Sequence, residues 1–227
     1  MLQLHIANKN YSSWSLRPWI LMTELGIAFS EVLHPFGEAA DWAEYKTLNP
    51  SGLVPSLITG DETLWDSLGI TEYLAERYPQ VWPTEAKARH WARCAVAEMH
   101  SGFNELREVC SMNCAVRVRL HAVTPALEKN LERLQQLWQQ GLNEFGGPFL
   151  AGSQFSAVDA FFAPVIFRLQ TYGLPLSGDA ARYYQHMLAL PSMQRWYAAA
   201  LAEPYRDEPH DQMTLQFGTI TEDLRQS

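Results

Sequence analysis

The hydrophobic pattern of this chain changes in kind about one third of the way along it. Before residue 80, short runs of alternating apolar and polar residues flank stretches of helical spacing, an order that predicts βαβ followed by ββα. After residue 85 the spacing is helical in long runs, without a convincing strand. A chain of 227 residues is long enough for two domains. The sequence therefore predicts an α+β domain over residues 1–80 and an all-α domain over residues 86–227.

The order of elements predicted for the first domain is thioredoxin-like. Alternation predicts strands over Leu2–Ile6 and Phe29–Leu33, and helical spacing predicts a helix over Leu16–Leu25 between them. A right-handed crossover makes the two strands parallel. The remaining predicted elements are an irregular stretch around residues 41–44, a strand over 53–59, its antiparallel return from residue 64, and a helix over 68–78.

Helical spacing predicts five helices in the second domain. Glycine and proline clusters separate some of them. The last residues, 203–227, are expected to form a polar tail on the surface. The predicted helices cover residues 85–117, 124–145, 156–172, 179–189 and 192–202.

Composition excludes several classes of partner. The formal net charge is −8 and no cluster of lysine and arginine occurs, so nucleic acid is not an expected partner. No window approaches the roughly 18 consecutive apolar residues that a membrane span needs, and the first residues do not resemble a secretion signal. We therefore expect no membrane partner and a cytoplasmic location.

The cysteines do not predict a disulfide framework or a metal site. The three thiols are Cys94, Cys110 and Cys114, an odd number that argues for reduced side chains. Cys110 and Cys114 lie four apart in a stretch predicted to be helical, but no second pair of ligands completes a zinc set. We interpret both as buried small hydrophobic residues, and we expect no metal.

The first strand-to-helix junction holds the residues best suited to bind an anion. Proline fits best in the first turn of a helix, so Pro18 predicts a start near Trp14 or Ser15, with Ser15 as the cap. Ser12 and Ser13 would then lie in the loop, with hydroxyls near the positive end of the helix dipole. The alternative is that all three serines only satisfy turn and cap donors.

Four segments, taken in order, resemble the signatures of zeta-type glutathione S-transferases. Residues 12–17, SSWSLR, resemble SSCxxR, and residues 49–55, NPSGLVP, resemble NPxGxVP. Residues 66–70, DSLGI, resemble (D/E)SxAI, and residues 155–159, FSAVD, resemble the SxAD capping box of a buried helix. Each motif is weak alone, but this series, with a domain change before the fourth, is specific for the superfamily. The resemblance extends over most of residues 1–200.

This resemblance implies a glutathione S-transferase fold with glutathione as co-substrate. Pro55 would be a cis proline, and the backbone of Val54 would bind the cysteinyl part of glutathione like an added strand; the alternative is an ordinary trans proline on an edge strand. Asp66 and Ser67 would bind the γ-glutamyl ammonium and carboxylate, or they would only cap the helix. Trp14 completes the predicted glutathione-binding set.

The resemblance also assigns a chemical role to a serine hydroxyl. Lowering the thiol pKa of glutathione by about two units, from about 8.5, takes about 2.7 kcal/mol. One hydrogen bond to a charged group gives about 1.5–3 kcal/mol and a helix N-terminus about 0.3–1 kcal/mol. Ser12 is the first candidate for the catalytic donor and Ser13 the second. Arg17 is expected to support the loop or the domain interface.

The function implied is attack by a glutathione thiolate on a small hydrophobic electrophile, as in detoxification, by a cytoplasmic homodimer. Trp14 stands where zeta enzymes have cysteine, which disfavours disulfide exchange in the loop. Two alternatives remain open: a non-catalytic scaffold or regulatory protein of this fold, and a glutathione-dependent cis-trans isomerase resembling maleylacetoacetate isomerase. His100 is interpreted as structural rather than catalytic, and Asp159 as the capping partner of Ser156.

Overall fold

The computed structural model describes residues 1–225. Its N-terminal part contains a four-stranded sheet with the order β2-β1-β3-β4. Strand β1 pairs parallel with β2 and antiparallel with β3, and β3 pairs antiparallel with β4. The predicted βαβ and ββα order is thereby confirmed. The elements are β1 (Leu2–Ile6), α1 (Ser13–Glu24), β2 (Phe29–Leu33), α2 (Ala39–Leu48), β3 (Ser56–Thr59), β4 (Glu62–Trp65) and α3 (Ser67–Ala75).

Helix α2 corrects the prediction of an irregular stretch at residues 41–44. The helix has almost no amphipathic pattern to reveal it, and single contacts hold it instead. Tyr45 is fully buried, and the indole Nε1 of Trp42 donates to the carbonyl of Pro35 at 2.8 Å. Specific side-chain contacts of this kind with the flanking loops override a weak amphipathic pattern.

The C-terminal part is mainly helical. A 3-10 turn, Pro79–Val81, precedes it, and α7 passes through its centre, with every residue from 157 to 169 buried. Helix α7 packs against α1 of the first domain and against α4, so it joins the two cores. The helices are α4 (Ala86–Ser101), α5 (Asn104–Val109), α6 (Pro125–Phe145), α7 (Ala157–Tyr172), α8 (Gly178–Ala189), α9 (Pro191–Ala202) and α10 (Glu208–Phe217).

The prediction of a single helix over residues 85–117 is wrong. Helix α4 stops at Gly102, and Phe103 adopts a left-handed conformation with φ 55° before α5 begins. Beyond α5 the chain is irregular, so Cys110 and Cys114 do not share a helix face as predicted. Both are nevertheless buried, as expected, and burial raises the pKa of the Cys110 thiol to about 12.

A two-stranded antiparallel sheet corrects the prediction that the second domain is entirely helical. Strand β5 (Val116–Leu120) pairs with β6 (Gly218–Asp223). The segment predicted to be a polar tail therefore contains α10 and β6, and its last two positions, 226 and 227, lie outside the described residues. Alternation was present in β5, where Val116 and Val118 are buried and Arg119 is exposed, but five residues without a neighbouring partner give a weak signal.

Asp159 occupies the structural position predicted for it. Its carboxylate accepts hydrogen bonds from the backbone N–H groups of Leu150 at 2.9 Å and Ser156 at 3.0 Å, and from the hydroxyl of Tyr183 at 3.1 Å. The reciprocal bonds of a capping box with Ser156 are present at the start of α7. The carboxylate therefore holds the 150–156 loop, α7 and α8 together.

Asp159 should make the stability of the fold fall with rising pH. Burial raises the pKa of its carboxyl group from 3.8 to about 6. The protonated form is thus favoured in the folded state, and the stability it contributes is present below about pH 4 and is lost as the pH rises through 6. Urea unfolding of the wild type and of Asp159→Asn across pH 4–7 tests this. We expect a decline of about 2–3 kcal/mol in the wild type that the variant lacks; identical slopes would contradict it.

In the described part of the chain, no helix has both the length and the apolar character needed to cross a membrane.

Candidate active site

The loop between β1 and α1 turns sharply into the helix. The carbonyl of Asn8 accepts from the N–H groups of Tyr11 at 3.1 Å and Ser12 at 2.8 Å, and α1 begins at Ser13 with Ser12 at the N-cap position. The prediction of Ser15 as the cap is therefore wrong. Pro18 lies inside α1, because the helix tolerates the loss of one backbone hydrogen bond and extends further toward the loop than a first-turn proline implies.

The hydroxyls of Ser12 and Ser15 form a short relay at this helix end. The backbone N–H of Ala7 donates to Ser15 Oγ at 3.2 Å, and Ser15 Oγ lies 2.7 Å from Ser12 Oγ. The Ser12 side chain makes no capping bond to the helix. When Ser15 donates to Ser12, the hydroxyl hydrogen of Ser12 is available to a group bound in front of the loop.

Ser13 has a different partner, which comes from the second domain. The guanidinium Nη2 of Arg168, on α7, donates to Ser13 Oγ at 3.3 Å. Arg168 is only 6 % exposed, and burial lowers the pKa of its guanidinium to about 10. It is therefore still protonated near neutral pH.

A cavity of about 440 Å³ opens in front of these serines, between the two domains. Of the residues predicted for the site, Ser12, Ser13, Trp14 and Val54 line it. Pro55, Asp66 and Ser67 are not part of its lining. The other lining residues are Tyr11, Phe36, Trp42, Gly52, Leu53, Arg107, Ser111, Met112, Arg168, His210 and Met213.

The loop that carries Val54 is held from behind by buried polar groups. The carbonyl of Leu53 accepts from the hydroxyl of Tyr45 at 2.7 Å and from Asn49 Nδ2 at 2.9 Å. Asn49 is fully buried. The Val54–Pro55 peptide bond is cis, which confirms that prediction. The two hydrogen bonds to the carbonyl of Leu53 hold the neighbouring Val54 in the cavity wall.

Trp14 lies between two guanidinium groups. The ring centroid is 4.1 Å from Cζ of Arg17 and 5.0 Å from Cζ of Arg107, and His100 meets the ring edge-on at a centroid distance of 5.4 Å. Burial lowers the pKa of His100. Arg17 also lies over Phe161 of α7 at 4.9 Å, which agrees with its predicted place at the domain interface.

Asp66 and Ser67 lie behind Trp14, at the start of α3. Asp66 is exposed and caps the helix, accepting from the N–H of Leu68 at 2.7 Å, and its carboxylate is 3.6 Å from Nε2 of His100. Ser67 is fully buried, and its hydroxyl accepts from Arg17 Nη1 at 3.3 Å. The two predicted γ-glutamyl ligands thus differ sharply in accessibility.

The outer wall of the cavity is aromatic and was not predicted. His210 of α10 stacks on Tyr11 at a centroid distance of 5.1 Å and on Phe36 at 4.7 Å. Phe36 in turn stacks on Trp42. Helix α10 is fixed there because Asp211 accepts from the Tyr11 hydroxyl at 3.1 Å. The segment expected to be a surface tail therefore closes one side of the cavity.

A second, larger cavity of about 810 Å³ lies elsewhere between the domains, and we do not place the site there. Its lining carries the carboxylates of Glu24, Glu85 and Glu144, and its single lysine, Lys87, is paired with Glu144 at 2.5 Å. A surplus of negative charge does not suit an anionic tripeptide. Among residues 1–225, none of those that line the smaller cavity carries a carboxylate.

Comparison with known proteins agrees with this architecture. The glutathione S-transferase N-terminal domain family matches residues 11–77, and the C-terminal domain family matches residues 86–199. Glutathione S-transferase Z2 of Arabidopsis thaliana is 26% identical over 76% of this chain and 78% of its own. The stringent starvation protein A homolog of Pasteurella multocida is 25% identical over 75% of this chain and 76% of its own.

A solved structure of similar fold is a glutathione transferase homolog from Burkholderia GL BGR1 with bound glutathione. It covers 88% of this chain and 97% of its own, with a TM-score of 0.64 and 24% identity, which shows a shared fold. The order of strands and helices and the two matching domain families lead to one conclusion: the chain belongs to the glutathione S-transferase superfamily, is similar to its zeta class, and has the two-domain fold of that superfamily.

Proposed function

We propose that this protein is a glutathione S-transferase that holds glutathione as a thiolate in the 440 Å³ cavity. One observation carries the proposal. The hydroxyls of Ser12 and Ser13, at the positive end of α1, open into a cavity whose lining, within the described part of the chain, contains two arginines and no carboxylate. Such a site stabilises a negative charge, and the reactive form of glutathione is its thiolate.

In the proposed reaction Ser12 acts as a hydrogen-bond donor and not as a base. A serine hydroxyl is far too weak a base to remove the thiol proton, which passes to solvent. The sulfur then attacks an electrophilic carbon. One electron pair of sulfur forms the new C–S bond, while the bond from that carbon to a leaving group breaks and the group departs to solvent with the bonding pair. The aromatic and methionine side chains of the opposite wall favour a small hydrophobic electrophile.

The peptide part of glutathione would bind along the loop that ends at Val54. Its cysteinyl N–H and carbonyl would pair with the backbone of Val54 as an added strand, and Trp14 would flank it. We place the γ-glutamyl ammonium beside the exposed carboxylate of Asp66. Ser67, the other predicted ligand, is fully buried against Arg17, so Asp66 is the one of the two that is open to solvent.

Titration of bound glutathione tests the proposal directly. The ultraviolet absorbance of the thiolate should rise with an apparent pKa about two units below that of the free thiol. Free glutathione under the same conditions is the control. A pKa equal to that of free glutathione, in protein shown to be saturated with it, would exclude the transferase.

The second candidate is a non-catalytic protein of the same fold. Its support is the similarity to the stringent starvation protein A homolog, whose name gives no transferase activity. This candidate predicts either no binding of glutathione or binding without a lowered thiol pKa. A glutathione-dependent isomerase, the third reading, would instead convert a cis-dienoic acid without consuming glutathione.

We also propose that the protein acts as a cytoplasmic homodimer in the conjugation of harmful electrophiles. The observation that supports a partner is the exposure of Leu53 and Trp65, two large apolar side chains of the first domain. Analytical ultracentrifugation of the wild type and of Trp65→Ser tests this. The wild type should sediment as a dimer and Trp65→Ser should dissociate more readily. A monomeric wild type would contradict the proposed homodimer.

A further inference from the structure

Arg168 lies in the most deeply buried helix of the molecule. Its Nη1 donates to the carbonyl of Arg107 at 3.2 Å and to the carbonyl of Cys110, and its Nη2 donates to Ser13 Oγ at 3.3 Å. The three acceptors are neutral. One guanidinium group therefore connects α7, the end of α5 and the first residue of α1.

This charge has no counter-ion nearby. Among residues 1–225, no carboxylate forms an ion pair with Arg168, Arg107 or Arg17. The three cations repel one another, and burial adds to the cost of holding them. Arg168 and Arg107 line the cavity. A buried cation without a counter-ion is rare in a folded protein, and a negative charge bound in this cavity would compensate that of Arg168.

The bond from Arg168 determines what the Ser13 hydroxyl can do. A guanidinium group only donates, so Ser13 Oγ must be the acceptor. Arg168 is the only partner of this oxygen within the described residues. The hydrogen of Ser13 is therefore free, and a positive charge behind the oxygen strengthens it as a donor.

We propose that Arg168 is a positioning residue that orients and polarises the Ser13 hydroxyl as a second donor to the glutathione thiolate. The inference rests on the proposed function, since it concerns the same sulfur. In this proposal two hydroxyls donate to the sulfur. Ser12 is oriented by the neutral Ser15, and Ser13 is oriented by a cation from the other domain. Correct docking of α7 on α1 is then a condition for full activation of the thiol.

A double-mutant cycle measured on bound glutathione tests the proposal. Arg168→Lys keeps the charge but lacks the fork that reaches Cys110 and Ser13 together. It should raise the pKa of the bound thiol by about one unit, and Ser13→Ala should do the same. Because both changes remove the same donor, the double variant should shift the pKa no further than either single variant. Ser13→Thr keeps a hydroxyl and should retain the wild-type pKa.

Arg117→Met is the matched control. Arg117 also donates to backbone carbonyls, those of Cys114 and Val116, and to the hydroxyl of Tyr197 at 2.9 Å, but it does not line the cavity. It should lower stability without changing the pKa of the bound thiol. A purely structural Arg168 would behave in the same way.

Two outcomes would overturn the proposal: a wild-type pKa in Ser13→Ala, or a wild-type pKa in a folded Arg168→Lys protein that binds glutathione. If Arg168→Lys does not fold, the pKa of glutathione bound to Ser13→Ala decides the question alone. Failure of the proposed function is distinguishable, because the unmodified protein would then already leave the thiol pKa of glutathione unchanged.

Discussion

Replacing Ser12 with alanine should raise the pKa of bound glutathione by about one to two units and slow conjugation at pH 6.5 by tenfold or more. The variant loses a hydrogen bond to a charged sulfur, which contributes about 1.5–3 kcal/mol. Each 1.36 kcal/mol corresponds to one pKa unit. Ser15 cannot replace the lost hydroxyl, because it is fully buried behind Ser12.

The pH dependence separates this effect from a loss of binding. Above about pH 9 the thiol ionises without help, so the rates of the wild type and Ser12→Ala should converge there at saturating glutathione. Ser101→Ala, which removes an exposed hydroxyl bonded to its own helix, serves as the control and should leave the profile unchanged. If Ser12→Ala and the double variant Ser12→Ala/Ser13→Ala both kept the wild-type conjugation rate at pH 6.5, thiolate stabilisation by these hydroxyls would be disproved.

Replacing Asp159 with alanine should lower the free energy of unfolding by about 3 kcal/mol or more. The change leaves two backbone N–H groups and the Tyr183 hydroxyl without their acceptor in a fully buried place, and each unsatisfied group costs about 1–3 kcal/mol. Urea unfolding at pH 7 measures the loss. The thiol pKa of glutathione bound to the folded variant should remain that of the wild type.

Glu128→Ala provides the comparison for Asp159. Glu128 is also an acidic residue in the first turn of a long helix, but it is exposed. Its replacement should change the stability by no more than about 0.5 kcal/mol. Equal effects of the two substitutions would contradict the structural role given to Asp159, and a normal stability with abolished activity would make Asp159 catalytic instead.

The parts of the fold that sequence predicted well are those with local signals. The strand at Leu2–Ile6 and the helix after it have clear periods, and the capping residues Asp66 and Ser156 mark helix starts by their chemistry. Strand β5 was missed because its partner strand lies about a hundred residues further along the chain, and α2 was missed because individual side-chain contacts with the flanking loops stabilise it. Their local patterns are weak.

Site residues were likewise predicted where they lie in local motifs and missed where they do not. Ser12, Ser13, Trp14 and Val54 lie in short motifs near the start of the chain, and the structure brings these four to one cavity. The rest of the lining includes Phe36 and Trp42 of the first domain and three separate segments of the second domain, which no motif connects. Only Arg168 gave a signal, as the single charge in the apolar run from residue 160 to 169. His210 and Arg107 gave none.

The pairing of β5 with β6 has a consequence for the order of folding. Val116 pairs with Asp223, about a hundred residues further along the chain, and α10 with His210 lies just before β6. Contacts between residues so distant in sequence are slow to form, since loop closure must precede any gain. The aromatic wall should therefore be completed late, and intermediates that already contain the paired β1 and β2 should still leave Ser12 and Ser13 open to water.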